Sequence, residues 1–179
     1  MNLNVHNAII FAARKHAGQA RKGTDIPYIT HPMEVMQILT DNDCSEQVIL
    51  AGILHDTLED TNATQEEIGS LFGNEVLRIV NAESEDKSKT WRERKQASID
   101  HQASDSLEAK LVCCADKLAN LRSMAADKST VGERLWDRFN AGKDDIHWYY
   151  KEIVKALCAV SEYKMYQELK NLTSMVFGS

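Results

Sequence analysis

Apolar residues along this 179-residue chain recur at helical spacing almost throughout, and only two prolines interrupt them. In residues 4 to 17, Val5, Ala8, Ile9, Ala12 and Ala13 fall on one stripe, the pattern of an amphipathic helix. A loop from Gly18 to Pro32 follows, rich in glycine, proline and polar residues. Pro32, with its fixed φ, suits the first turn of the next helix, capped by His31 or Thr30 and continued by Met33, Met36, Ile38 and Leu39. Ser45 or Asp43 starts a third helix. Thr64 followed by Glu67 fits a capping box, and that helix ends near Gly73. Residues 74 to 82 read as a short apolar helix, 83 to 90 as a polar loop, and Trp91 to Gln102 as a charged helix. A second capping signal, Asp105-Ser106-Leu107-Glu108, introduces a long helix with Leu111, Ala115, Leu118 and Leu121 in register. After a break from Gly132 to Asp144, helices near 145–159 and 161–172 finish the chain. No stretch alternates like a strand, repeats another or has a linker's low complexity. The expected fold is all-α, one domain over residues 1–179 with about eight to ten helices.

Size and charge narrow the function. A chain this long buries about 70% of its unfolded surface and needs no staples. The net charge of -6 argues against a nucleic-acid-binding surface but permits a small anionic substrate, which requires only local positive charge. No run of eighteen apolar residues suggests a membrane partner, and the N-terminus lacks a signal pattern. Cys44, Cys113, Cys114 and Cys158 contain no CxxC and read as free thiols in helices, which places the protein in the cytoplasm. The oligomeric state is left open.

Chemistry concentrates in His55-Asp56-Thr57-Leu58-Glu59-Asp60, which follows the apolar run from Val48 to Leu54. On a continuous helix, His55 would lie under Glu59 and Asp56 under Asp60, one turn apart. Two candidate metal ligands would then stand below two candidate water-handling carboxylates. His31 stands at a helix start, and Asp116 sits inside the apolar stretch from Leu111 to Leu118, where an uncompensated carboxylate is costly. Two imidazoles and two carboxylates suit Mn²⁺, Fe²⁺, Zn²⁺ or a similar ion. Lys87, Lys89, Arg92, Arg94 and Lys95 crowd into nine residues of an otherwise acidic chain, either as a solvated helix face or as a polyphosphate contact. Lys87 and Lys95 are the candidates for terminal phosphates, with Lys143 a further one. Trp136, Trp148, Tyr149 and Tyr150 read as core.

These motifs resemble the HD-domain metal phosphohydrolases. More narrowly, the chain is similar to the single-domain, Mesh-type members of the RelA/SpoT-type alarmone hydrolases. The resemblance rests on Ala13-Arg-Lys-His16 with Gly18-Gln19, Arg21-Lys22-Gly23, Pro27-Tyr28-Ile29-Thr30-His31-Pro32, Leu54-His-Asp-Thr-Leu-Glu-Asp-Thr61 and Ala115-Asp-Lys-Leu-Ala-Asn-Leu-Arg122. Phe72-Gly73, Glu85-Asp-Lys87 and Glu93-Arg-Lys95 extend it over residues 5 to 156. The chain departs from that pattern at residues 81–86 and 126–143. The resemblance implies that His31, His55, Asp56 and Asp116 hold one Mn²⁺-type ion and that Glu59 and Asp60 orient and deprotonate the attacking water. It also implies that Arg21 stacks on the nucleobase, that Lys22 faces phosphate or base edges, and that Asn120 grips a ribose hydroxyl.

The expected activity is Mn²⁺-dependent hydrolysis of the 3′-diphosphate of guanosine 3′,5′-bis(diphosphate), giving GDP or GTP and pyrophosphate. With no second domain in the sequence, synthesis of that alarmone is not expected. Two alternatives stand beside it: a phosphatase acting on another ribose-phosphorylated nucleotide such as NADPH, and a nucleotide sensor without catalysis.

Overall fold

The computed structural model describes residues 3–82 and 88–178. Within them the helical periodicity is realised as ten α-helices. They are α1 (Leu3–Lys15), α2 (Thr30–Asp41), α3 (Glu46–Leu54), α4 (Thr57–Asp60) and α5 (Gln65–Phe72), then α6 (Asn74–Ala82), α7 (Trp91–Ser104), α8 (Leu107–Val131), α9 (Lys143–Ala156) and α10 (Lys164–Phe177). Two 3-10 segments, Gly132–Arg138 and Cys158–Val160, join the last three. Among the described residues the sole β pairing is an isolated bridge between Ala20 and Pro27, and no helix is long and apolar enough to cross a membrane.

Helix α8 is the axis, because from Ala109 to Leu121 its apolar residues recur on several faces and all are buried. Val112, Cys113, Cys114, Ala115, Leu118, Ala119 and Leu121 are fully enclosed. Against it lie α2, α3, α6, α7, α10 and the first 3-10 segment, and one apolar cluster runs through the assembly. Polar signals set the ends. Ser45 caps α3 by accepting from the Val48 amide, and Thr64 and Glu67 form the reciprocal box that opens α5. Ser106 caps α8 through the Ala109 amide.

Several expectations are corrected. The α2 cap is Ile29, not Thr30 or His31, with no side-chain bond. The chain enters α2 through a tight turn in which the Thr30 amide and hydroxyl both donate to the Pro27 carbonyl, so Pro32 lies inside the first turn. Ala13 is exposed, because α1 buries only a narrow strip around Ala8 and Ala12. The break after α8 is partly filled by its 3-10 segment, α10 runs on to Phe177, and Cys44 lies outside any helix. The largest correction is that α3 stops at Leu54, so His55 and Asp56 form a junction rather than mid-helix positions. The Thr57 hydroxyl takes the Leu54 carbonyl at 2.6 Å, and the ladder resumes when the Asp60 amide bonds to the Asp56 carbonyl at 2.9 Å. No glycine or proline announces this break.

Gly52 lets α3 approach α2. A β-carbon there would strike Leu39 Cδ1 and come within 3.2 Å of Val35 Cγ1, both on fully buried side chains. Gly52→Ala is expected to cost about 1–2 kcal/mol despite alanine's better helix propensity, because overpacking outweighs that gain. Urea denaturation would show the loss as a lower midpoint at unchanged m-value.

Candidate metal centre and cleft

His31 comes from the first turn of α2, His55 and Asp56 from the α3–α4 junction, and Asp116 from the middle of α8. The fold brings all four together. His31 Nε2 lies 3.0 Å from Asp116 Oδ1 and 3.6 Å from Asp56 Oδ2, and His55 Nε2 lies 3.0 Å from Asp56 Oδ2 and 3.7 Å from Asp116 Oδ1. His31, His55 and Asp116 are each at most 5% exposed, and their donor atoms all lie within 4.8 Å of one another.

The donor set fits a divalent cation. His55 Nδ1 contacts the Gly52 carbonyl at 2.8 Å, and since a carbonyl only accepts, Nδ1 carries the proton. That turns the Nε2 lone pair toward the carboxylates, and Nε2 is buried with no hydrogen-bond partner. Charge tells the same story. Burial pulls His55 down, but Asp56 and Asp116 outweigh it and carry the ring well above its ordinary value. Burial pulls His31 below its ordinary value, against the opposing bond to Asp116. Burial pushes both carboxyls up, yet His55 beside Asp56 and Lys117 beside Asp116 bring them well below the usual range. The pocket is built to hold positive charge, and a metal ion supplies it with N and O ligands of the right kind.

A second layer fixes these ligands. The Tyr28 hydroxyl donates to Asp56 Oδ2 at 2.6 Å, and its ring lies against those of His16 and His31. Burial and Asp56 hold that phenol far above its ordinary value, so it stays a donor. Asn120 Nδ2 donates to Asp116 Oδ1 at 2.6 Å, and Arg21 Nη2 donates to Asn120 Oδ1 at 2.6 Å. Lys117 reaches Asp116 Oδ2.

The centre opens into a cleft of three connected lobes that meet at Asn120. The polar lobe, about 200 Å³, holds the four candidate ligand residues with Glu59, Arg94, Lys95, Lys117 and Tyr28. A larger lobe of about 600 Å³ has Arg21, Lys22, Tyr28 and Arg138 among its walls. A third, about 310 Å³, is lined by Lys22, Arg94, Lys95 and Lys117 together with Trp91, Tyr149 and Tyr150, and Lys95 and Lys117 lie over the Tyr149 ring.

Most of the expected site residues therefore converge. Glu59 is half-buried in the polar lobe, whereas Asp60 is exposed and lines none of the three lobes, its carbonyl accepting from Gln19 Nε2 at 2.6 Å. Arg21 lies with its guanidinium carbon 5.5 Å from the Tyr28 ring centre, and Lys22 reaches Asn140 at 3.4 Å. Lys95 borders two lobes. Lys143 is not brought in: it bonds to Glu133 at 3.2 Å and lines none of the three lobes. Lys87 lies outside the described residues. Tyr149 and Tyr150 are core, as read, but both also line the third lobe. Arg94, a member of the basic run, joins Lys95 in the polar lobe, whereas Tyr28 and Lys117 had been given no role. Tyr28 and Lys117 each had a signal, three residues before His31 and directly after Asp116.

Residues 8–146 match the HD domain family, and the chain belongs to it. The narrower resemblance holds as well. The chain is 45% identical over 117 residues to guanosine-3′,5′-bis(diphosphate) 3′-pyrophosphohydrolase MESH1 of Danio rerio, covering 64% of this chain and 65% of that protein. It is 41% identical over 123 residues to the protein of that name in Drosophila melanogaster, covering 67% and 69%. The match thus spans just under two thirds of the zebrafish relative's length. A solved structure described as a metazoan ortholog of SpoT that hydrolyzes ppGpp superposes with a TM-score of 0.82 at 31% identity, over 98% of this chain and 96% of that one. A protein of Listeria monocytogenes EGD-e superposes at 0.78 with 35% identity, over 83% and 99%.

Proposed function

We propose that this protein is a cytoplasmic, single-domain hydrolase that removes the 3′-diphosphate of guanosine 3′,5′-bis(diphosphate), or of its pentaphosphate form, releasing pyrophosphate and GDP or GTP. The observation that carries this reading is the continuity of the cleft. A four-residue candidate metal centre, with His31, His55 and Asp116 buried and Asp56 half-buried, opens onto a lobe with three cations and, through Asn120, onto a second lobe large enough for a nucleoside. The relatives' names agree with it. Free cysteines suit the cytoplasm, and the one apolar cluster suits a single domain.

His31, His55, Asp56 and Asp116 would hold the ion, and Mn²⁺ fits their mixed nitrogen and oxygen donors. Such an ion acidifies a bound water and withdraws charge from a phosphate. Tyr28 and Asn120 keep Asp56 and Asp116 turned inward. Glu59, on the lobe wall, takes the proton of the attacking water, and Asp60 orients that water. The new bond joins the water oxygen to the phosphorus next to the ribose, the phosphorus–O3′ bond breaks, and the O3′ takes up a proton. Arg94, Lys95 and Lys117 neutralise the departing pyrophosphate. Arg21 holds Asn120 for the ribose and offers its guanidinium plane to the base.

Product identification tests the reading. With Mn²⁺ present, the protein should release pyrophosphate from the guanosine bis(diphosphates). Orthophosphate release from NADPH with the alarmones untouched, or binding without turnover, would overturn it.

A further inference from the structure

The far wall of the 600 Å³ lobe carries groups that the reaction above leaves idle. Asp127 of α8 and Arg138 of the following 3-10 segment meet there, with Arg138 Nη1 donating to Asp127 Oδ2 at 2.8 Å. Both side chains keep some surface open, 34% and 24% respectively. Met124, Leu135 and Phe139 form the apolar wall beside them. Arg138 reaches this position by crossing the Arg21-Lys22 turn at Gly23, where its Cδ lies 2.9 Å from the place a β-carbon would occupy.

The register of α8 orders the cleft. Asp116, Asn120, Met124 and Asp127 are separated by four, four and three residues, so they share one helix face. The seven residues from Asn120 to Asp127 span about 10 Å at a rise of 1.5 Å per residue. That is comparable to the reach from a ribose hydroxyl to the outer edge of a purine. A nucleotide held at Asn120 by its ribose would lay its base along Met124 and bring the base edge to Asp127.

We propose that Asp127, braced by Arg138, is the base-reading residue of this protein and selects guanine; the proposal rests on the reading of the substrate as a guanosine nucleotide. Guanine presents two adjacent donors, N1–H and the N2 amino group, and a carboxylate answers them with two acceptor oxygens. Each oxygen has two lone-pair sites, so the bond from Arg138 leaves both able to accept. The bond from Arg138 also fixes the carboxylate in orientation. Adenine offers an acceptor at N1, which the carboxylate repels. Asp127 falls in the stretch where the chain departs from the family pattern, so the use of this residue to read the base is a property of this sequence.

Equilibrium binding of the 3′,5′-bis(diphosphates) of guanosine, adenosine and xanthosine, without added metal so that no turnover intervenes, tests this. Wild type should bind the guanosine compound about tenfold or more tightly over the adenosine one. Asp127→Asn should weaken guanosine by a similar factor and strengthen xanthosine, whose 2-keto oxygen accepts from the new amide. Asp127→Ala should lose the preference. Equal weakening of all three bases in both variants would make the pair a structural clamp and overturn the proposal, as would a wild type blind to the base. Failure of the hydrolysis reading shows separately, as absent pyrophosphate release by wild type with the base preference intact.

Discussion

His55→Ala should lower turnover by about three orders of magnitude, the scale lost when a principal electrostatic stabiliser is removed. His55 is 3% exposed, and its Nε2 lies 3.0 and 3.7 Å from the two carboxylates of the centre. Without the ring, Asp56 and Asp116 face each other across a cavity with one fewer nitrogen donor. The variant should fail to bind Mn²⁺ in calorimetry, and this separates loss of the centre from loss of the fold. Stability gives an independent reading. An ion at a hundred times its Kd stabilises the native state by about 2.7 kcal/mol, which raises Tm for wild type and leaves the variant unmoved. Asp116→Asn should behave alike, since it removes a charge that Lys117, His31 and Asn120 are all placed around. Retained Mn²⁺ binding or normal turnover in either variant would refute the ligand assignment.

The contrast between what was legible and what was not follows from the range of the interactions. Helix spacing, the Thr64–Glu67 box and the Ser45 and Ser106 caps are local, and a chain read residue by residue displays them. The candidate metal ligands stood out because their cost is also local: Asp116 in an apolar run demands compensation, whatever partner the fold provides. The helix break at His55 was not, because it depends on the Thr57 hydroxyl capturing the Leu54 carbonyl, which a helix former also allows. Long-range pairings were hidden as well. Lys143 looked available, but Glu133 and the Trp136 ring hold it away from the cleft. Tyr28 carries no charge in sequence, and its role appears only when the turn before α2 swings its hydroxyl onto Asp56, 28 residues on.

The break at His55 also bears on the second large effect, at Glu59 and Asp60. Were α3 continuous, the two carboxylates would stand equivalently above His55 and Asp56. The junction makes them unequal. Glu59 lines the polar lobe beside His55, Asp56 and Lys95. Asp60 is exposed, with its amide fixed on the Asp56 carbonyl and its carbonyl on Gln19. Its charge still reaches the site, since it is one of the carboxylates that push the Tyr28 phenol upward. Glu59→Gln keeps the shape and removes the base, so kcat should fall about 10²–10⁴-fold, with Mn²⁺ affinity and KM little changed. Asp60→Asn should also lower kcat, through the water's orientation. If both residues serve one proton transfer, the double variant loses scarcely more than Glu59→Gln alone, because the second change acts on a step already disabled. Losses that multiply would mean separate roles, and a Glu59→Gln enzyme of normal kcat would remove Glu59 from the chemistry.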